Sequence, residues 1–320
     1  MFIISYNLYM IYALTFRQLE IFAQVAKQLS ITKASETLHL SQPAVSMQVK
    51  QIEHLINLPL LEKKGKKLFL TETGRIIRDY AEHILTSQKS LEETLAAFSG
   101  AETGHLNLAV PETASQFVTL LLAQFRLQYP AISFQLQIHN REGLLNCIKE
   151  NSTDLVIMGQ TPVEMKLVTK SFMKNPLVII APPDHPLGDQ YEISLDELME
   201  NEFVVREPGS GTRIAMERFF TEHQVQLKTA MEMPNNEAIK QAVAAGLGLG
   251  IVSLHTLQQE LALKQVKVLQ VEKMPIMRIW YIVHHQQKQL SPAMVRFKEF
   301  VIQNTQRIWR DKYPQLEHLL

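Results

Sequence analysis

One cysteine, Cys147, stands in 320 residues. That scarcity excludes an intrachain disulfide framework and suits a reducing compartment. The residue falls in a helical pattern over 143–150, where a small buried side chain is its expected role. Nowhere does an apolar run reach the roughly 20 residues that a membrane-spanning helix needs, so no membrane partner is expected. The opening segment 1–14 is uncharged and rich in Ile, Tyr and Leu. It lacks the basic n-region and the small-residue cleavage site of a signal peptide. A start at Met10 and a frayed tail over 1–12 both fit it better than a lipid anchor. Net charge is absent too, 32 Lys and Arg balancing 32 Asp and Glu. No Cys/His cluster suggests a metal, because His284 and His285 are adjacent and neighbours on a strand point to opposite faces. No spaced nucleophile, base and orienter occurs, so no catalytic residue and no metal site is expected, and the chain is read as not an enzyme. Gly246-Leu247-Gly248-Leu249-Gly250 is glycine-rich. A dinucleotide fingerprint, however, follows a strand and opens a helix; here a helix ends and a strand begins, which predicts a C-cap and a tight turn.

What is present is unevenly placed. Over 13–75, nine Lys/Arg stand against five Asp/Glu, a net +4, so the remainder carries −4. A basic head on a mildly acidic body is the charge pattern of a nucleic-acid-binding module joined to something else. Apolar content of 46% supplies packed cores, and the length predicts two or three structural units. Within the head, Ser41 is a natural N-cap and Pro43 suits a first helical turn. Val45, Val49, Ile52 and Ile56 then recur at spacings of four, three and four, which makes one buried stripe. The polar side carries Gln42, Ser46, Gln48, Lys50 and Gln51, amides and a hydroxyl of the kind that base-edge readout needs. Helical patterns over 16–29 and 32–38 precede it, Ser30 capping the second. Two helices and a tight turn before a capped, outwardly polar helix form a helix-turn-helix pattern. Lys63, Lys64, Lys66 and Lys67 flank Gly65 between short apolar runs, which predicts a basic hairpin, a wing, for phosphates or a minor groove. The DNA-contacting set is therefore Ser41, Gln42, Pro43, Ser46, Gln48, Lys50, Gln51, Lys63, Lys64, Lys66 and Lys67.

A long helix is predicted over 73–99. Ile76, Ile77, Tyr80, Ile84, Leu91, Leu95 and Phe98 recur along it, and nothing beside it in sequence covers that stripe, so a second copy of the chain is its natural cover. Residues 99–104 read as a hinge. Beyond it, strands over 106–110, 132–138, 154–158, 177–181, 203–205, 229–231, 249–253, 266–271 and 278–283 alternate with helices over 113–129, 142–149, 212–223, 236–246 and 292–308. Such alternation predicts an α/β body with largely parallel sheets. In open α/β lobes, ligands sit beyond the carboxyl ends of strands and against helix N-termini. Thr113, Ser115, Gln116, Arg141, Gln160, Thr161, Arg206, Ser210, Gly211, Thr212, Arg213, Asn235 and Asn236 fall at such places. The 206–213 loop is the sharpest of them, with glycines, hydroxyls and arginines at a helix start, the makings of an anion cradle.

These residues resemble the LysR-type transcriptional regulators. The signature comprises Phe16-Arg17-Gln18-Leu19, Phe22, Val25-Ala26, Ser30, Ala34-Ser35-Glu36, Leu38, Leu40-Ser41-Gln42-Pro43-Ala44-Val45-Ser46, Gln48, Leu58-Pro59-Leu60-Leu61 and Leu70-Thr71-Glu72-Thr73-Gly74. Further segments, Asn140-Arg141-Glu142, Ala181-Pro182-Pro183-Asp184-His185-Pro186, Arg206-Glu207-Pro208-Gly209-Ser210-Gly211-Thr212-Arg213 and Asn236-Glu237-Ala238-Ile239-Lys240-Gln241-Ala242-Val243, look like the activators of Calvin-cycle (RuBisCO) operons and their bicarbonate-transport relatives. Two departures stand out: Met47 where many members carry Arg, and Lys63 where the wing often has Arg, which keeps the charge and loses bidentate geometry. The resemblance implies a winged helix-turn-helix over 14–72, a linker and dimerisation helix with hinge over 73–103, and a two-lobed, periplasmic-binding-protein-like effector domain over 104–305. Its first lobe would take about 104–180 and 276–305, its second about 181–275. It further implies a cytoplasmic, metabolite-responsive activator that binds double-stranded operator DNA as an antiparallel dimer or tetramer, with RNA polymerase as a further partner. No cofactor is implied; the effector would be a sugar phosphate, phosphoenolpyruvate or NADPH. A LysR-type regulator of an unrelated pathway is the nearest alternative. A solute-binding protein or an enzyme on the same two-lobed fold is the more distant one, opposed by the basic head and the missing catalytic set.

Overall fold

The computed structural model describes residues 14–65, 67–98 and 103–314. The opening segment 1–13, Lys66 and residues 99–102 of the expected hinge lie outside the described residues. The chain divides at Leu95/Ala96 into two compact units.

In the first unit, helix α1 (Phe16–Gln28) opens on a reciprocal cap between Thr15 and Gln18, and α2 (Ile31–Leu38) opens on Ser30. Helix α3 (Gln42–Ile56) begins with the Ser41 hydroxyl accepting from the Ala44 amide at 3.3 Å. Phe22, Val25, Ala34, Val45, Val49 and Ile52 close the core between the three helices. Strands β1 (Leu61–Lys64) and β2 (Lys67–Leu70) pair antiparallel. Gly65 turns the hairpin at φ +64°, a conformation that costs glycine nothing. The Glu53 carboxylate accepts from the amides of Leu60 and Leu61 at 2.8 and 3.2 Å, which fastens the hairpin's base to the end of α3. Helix α4 (Glu72–Phe98) follows; its 27 residues span about 40 Å at 1.5 Å per residue. Thr71 accepts from the Gly74 amide, and a Cβ at Gly74 would collide with the Leu60 carbonyl, so only glycine lets α4 start this close to the head. Ile77 packs on the head core, whereas Ile76, Tyr80, Ile84, Leu91 and Leu95 stay exposed.

The second unit is built on one nine-stranded sheet. Its elements run β3 (Gly104–Pro111), α5 (Glu112–Gln128), β4 (Ile132–His139), α6 (Arg141–Lys149), β5 (Leu155–Met158), β6 (Leu167–Ala181), α7 (Leu195–Leu198), β7 (Glu202–Arg206), α8 (Gly211–Glu222), β8 (Lys228–Met233), α9 (Asn236–Ala244), β9 (Leu249–Ser253), α10 (Gln258–Ala262), β10 (Lys267–Val268), β11 (Ile276–His285) and α11 (Pro292–Lys312). Strand order is β4-β3-β5-β11-β6-β9-β7-β8, with β10 beside β6. Parallel pairs flank each side, β3 with β4 and β5, β7 with β8 and β9. The middle is antiparallel, β6 with β11 and β9, and β11 with β5. The sheet is thus mixed, a correction to the expected largely parallel one. Two lobes hang on it, one core around Leu108, Phe125, Trp280 and Phe297 and another around Ile179, Phe203 and Phe220.

Two strands differ from the pattern-based reading. β6 begins ten residues before the expected 177, because it pairs with β11 along its whole earlier half, Leu167↔His285 through Leu177↔Ile276. That half exposes Thr169, Lys170, Ser171 and Lys174 and contains Pro176, which hid it from an apolar-run criterion. The expected strand over 266–271 shrinks to Lys267–Val268. β11 holds the same edge of β6 as far as Leu177, so only Val178–Ala181 remain, and of these Ile180 and Ala181 pair with β10. Gly246 at φ +81° ends α9, and the Leu247 amide reaches back to the Ala242 carbonyl at 3.0 Å, the C-cap geometry expected there.

Candidate functional site

The head presents one face of α3. Val45, Val49 and Ile52 lie inside at 0%, 3% and 0% exposure, and the helical period turns Pro43, Met47, Lys50 and His54 directly away from them. These four, with Ser46 and Gln51 at the flanks, share one shallow hollow. Ser41, Gln42, Lys50 and Gln51 are exposed, and Ser46 and Gln48 are half-buried. Gln48 lies toward the core side of the helix, and the Gln51 amide oxygen accepts from Gln18 at 3.4 Å. In the wing, Lys63, Lys64 and Lys67 are exposed around the turn. Lys64 pairs with Glu62 at 3.0 Å and lies 5.7 Å from the Phe69 ring centroid. Lys66 is outside the described residues. Sequence reasoning did not single out His54 as a contact and treated Met47 only as a departure. Both were legible from the helical wheel, being four and eleven residues past Pro43.

In the second unit a cleft of about 550 Å³ opens between the lobes. Three arginines line it, Arg141, Arg206 and Arg278, against two carboxylates, Glu112 and Glu207. Arg206 is fully engaged: it donates to both Glu207 oxygens at 2.7 and 3.0 Å and lies 3.7 Å from Glu112. Arg141 donates to the Gln160 carbonyl. Arg278, on β11, donates to the Gly211 carbonyl at 3.0 Å and has no carboxylate partner among the described residues. Burial lowers the Arg278 guanidinium to about 10, and the nearby Arg141 pushes in the same direction. Burial also lowers Arg141, against the opposing pull of Glu164. In both the loss of hydration outweighs any neighbouring carboxylate, and at Arg278 none opposes it. Gly159 makes room for it, since a Cβ there would stand 2.5 Å from an Arg278 nitrogen.

Two lobe-II helices begin at this cleft, and they differ. At α9, the Asn235 side chain caps the Ala238 amide at 2.8 Å, and Glu112, reaching from the other lobe, accepts from the Asn236 amide at 2.9 Å. At α8, Ser210 occupies the N-cap position yet makes no capping hydrogen bond, although it is 3% exposed. The first-turn amides of a helix have no intrahelical acceptor. α8 therefore offers N–H groups, the Ser210 and Thr212 hydroxyls, and Arg278 to whatever enters.

Of the residues expected at the ligand, Thr113, Arg141, Arg206, Ser210, Gly211, Thr212 and Asn235 line the cleft. Ser115 turns back onto the Glu112 carbonyl and Gln116 is exposed. Gln160 and Thr161 border a separate groove beside α8. Arg213 is held outside by Glu217 and Glu232, and the Asn236 amide group bonds to Thr256. Arg278, Glu112, His139 and Trp280 were missed. Arg278 had a signal, a lone cation inside an apolar strand; Glu112 had one too, its place at a helix start just after β3, although its partner 124 residues away was not legible.

A family model described as "Bacterial regulatory helix-turn-helix protein, lysR family" matches residues 16–75, and one described as "LysR substrate binding domain" matches 99–306. A RuBisCO operon transcriptional regulator of Allochromatium vinosum is 47% identical over 292 residues, 91% of this chain and 97% of that one. The HTH-type transcriptional activator CmpR of Synechocystis is 41% identical over 294 residues, 92% of this chain and 97% of that one. Among solved structures, the CcmR regulatory domain of Synechocystis in complex with 2-PG is 38% identical and covers 63% of this chain and 99% of its own, at a TM-score of 0.61.

Proposed function

The chain belongs to the LysR family of bacterial transcriptional regulators, a DNA-binding regulator rather than an enzyme, and from that premise we propose that it switches carbon-fixation or bicarbonate-uptake genes in response to a small phosphorylated acid. The target reading is supported by the RuBisCO-operon regulator and the activator CmpR, each matched along almost its whole length. The effector reading is supported by one observation above the others: Arg278, beside the open start of α8, carries a desolvated charge with no carboxylate partner among the described residues. An anion there accepts from the amides and hydroxyls of α8 and neutralises Arg278 and Arg141 together. The 2-PG held by the CcmR regulatory domain is of the same chemical class. Phosphoenolpyruvate fits that class, as do sugar phosphates and the phosphate end of NADPH.

The head reads double-stranded operator DNA through α3, with the wing lysines on or near phosphates. Two copies join along α4, whose exposed Ile76, Tyr80, Ile84 and Leu91 stripe a second copy would cover, and a tetramer is a pair of such dimers. Contact with RNA polymerase and a cytoplasmic location complete the reading. Among the described residues no helix is long and apolar enough to cross a membrane.

Calorimetric titration with 2-PG, phosphoenolpyruvate and NADPH tests the effector. At least one should bind, and Arg278→Met should weaken it by about tenfold or more, the usual loss for hydrogen bonds to a charged group. Arg218→Ala, paired with Glu222 outside the cleft, should leave it unchanged. A neutral or cationic binder, or indifference to Arg278→Met, would overturn the anion reading while DNA binding stands.

A further inference from the structure

Met47 is 53% exposed at the middle of a recognition face that is otherwise polar or charged, apart from Pro43 one turn before it. Ser46, Lys50, Gln51 and His54 rim it. Such a patch, two side chains wide, is far too small for a protein–protein interface, and its rim is suited to base edges and phosphates. We infer that Met47 is a specificity-determining residue that reads the C5-methyl group of a thymine in the major groove. The inference rests on the DNA-binding reading of α3.

In the major groove each base pair presents donors and acceptors, and only thymine adds a methyl group. A thioether side chain donates nothing and accepts poorly, so it cannot select the N7 and O6 of guanine, the N6 of adenine or the N4 of cytosine. It can exclude water from a methyl group, and its unbranched, polarisable stem conforms to one. Placement supports the same choice. The helical period sets Met47 opposite the buried line Val45, Val49 and Ile52, the part of α3 that stands deepest in a groove when the helix docks on that face. Lys50 and His54, one and two turns farther along, carry the donors that Met47 lacks. Pro43, one turn before it, extends the apolar strip along the helix.

The test uses the full-length chain and duplexes selected by it from a random pool. Each thymine of the selected site is then replaced singly by uracil, which removes the methyl group and changes no hydrogen-bonding edge. At one thymine per half-site, the replacement should weaken wild-type binding about fourfold, the effect of one buried methyl group. Met47→Ala should bind the thymine duplex more weakly and lose the discrimination between thymine and uracil at that position. Met47→Leu should keep it. None of these changes should alter the salt slope, because no phosphate contact is lost. Met47 lies outside the core, so thermal unfolding of the variants should match the parent and separates misfolding from lost readout. If no thymine is methyl-sensitive, or if Met47→Ala retains the full sensitivity, the inference is overturned and DNA binding stands. Failure to select any duplex would overturn both.

Discussion

Two buried basic groups of the second unit show how burial decides the ionisation of single residues. Arg278 stays charged at neutral pH, since its lowered value is still about 10. Its charge therefore opposes the unliganded fold throughout the physiological range, and an anion would remove that opposition. His255 goes the other way. Burial drives it down to about 3, and its Nδ1 accepts from the Trp280 indole N–H at 3.1 Å, so the ring is neutral with its proton on Nε2. The unfolded chain takes up a proton near the ordinary histidine value of about 6.5. Below that pH the unfolded state binds more protons than the folded one, and stability falls as pH falls. His284, also lowered mainly by burial, acts with the same sign. The stability contributed by a neutral His255 should be intact above about pH 6.5 and decline by about 1.4 kcal/mol per pH unit below it. Denaturant melts across that range check this: His255→Gln, whose amide oxygen still accepts from Trp280, should flatten the slope, and an unchanged slope would place the acid sensitivity elsewhere.

At the scale of elements, α4 carries the sharpest expectation. Its exposed Tyr80, Ile84 and Leu91 follow the helical repeat for three turns with no cover among the described residues. Ile84→Asp with Leu91→Asp would bury charges in the seam at a cost of several kcal/mol. Light scattering after size exclusion should show a folded monomer; a dimer of parental stability would move the seam off this helix. The helices of the head show what a sequence makes legible. Caps at Ser30 and Ser41 and stripes such as Val45–Val49–Ile52 state a helix and its inner face within a dozen residues. The first half of β6 was hidden because its ladder partner, β11, is about a hundred residues away and its own side chains are mostly polar. The cleft was half legible for the same reason. Ser210, Thr212, Arg141 and Glu112 sit at helix starts that local patterns mark, whereas Arg278, and the partner of Glu112, come into place only when the long strands and the other lobe arrive. Arg213 carried the same local signal as Arg206; its partner Glu217 lies four residues on along the same helix and was legible, whereas Glu232, on β8, was not.

At the scale of the whole molecule, a DNA-reading head and the proposed anion site in the cleft make a switch only if the ligand binds unequally to two arrangements of the assembly. Affinity in the cleft and affinity for the operator must then be coupled, and the coupling must pass through the groups that hold the anion. Operator binding by the full-length chain, measured on the duplex upstream of its own gene with and without saturating 2-PG or phosphoenolpyruvate, tests this most directly. The account predicts that the anion changes the affinity or the footprint of the parent protein, and that Arg278→Met binds the same duplex yet no longer responds. A parent protein that binds the anion without any change on DNA, or an Arg278→Met variant that responds as the parent does, would contradict it.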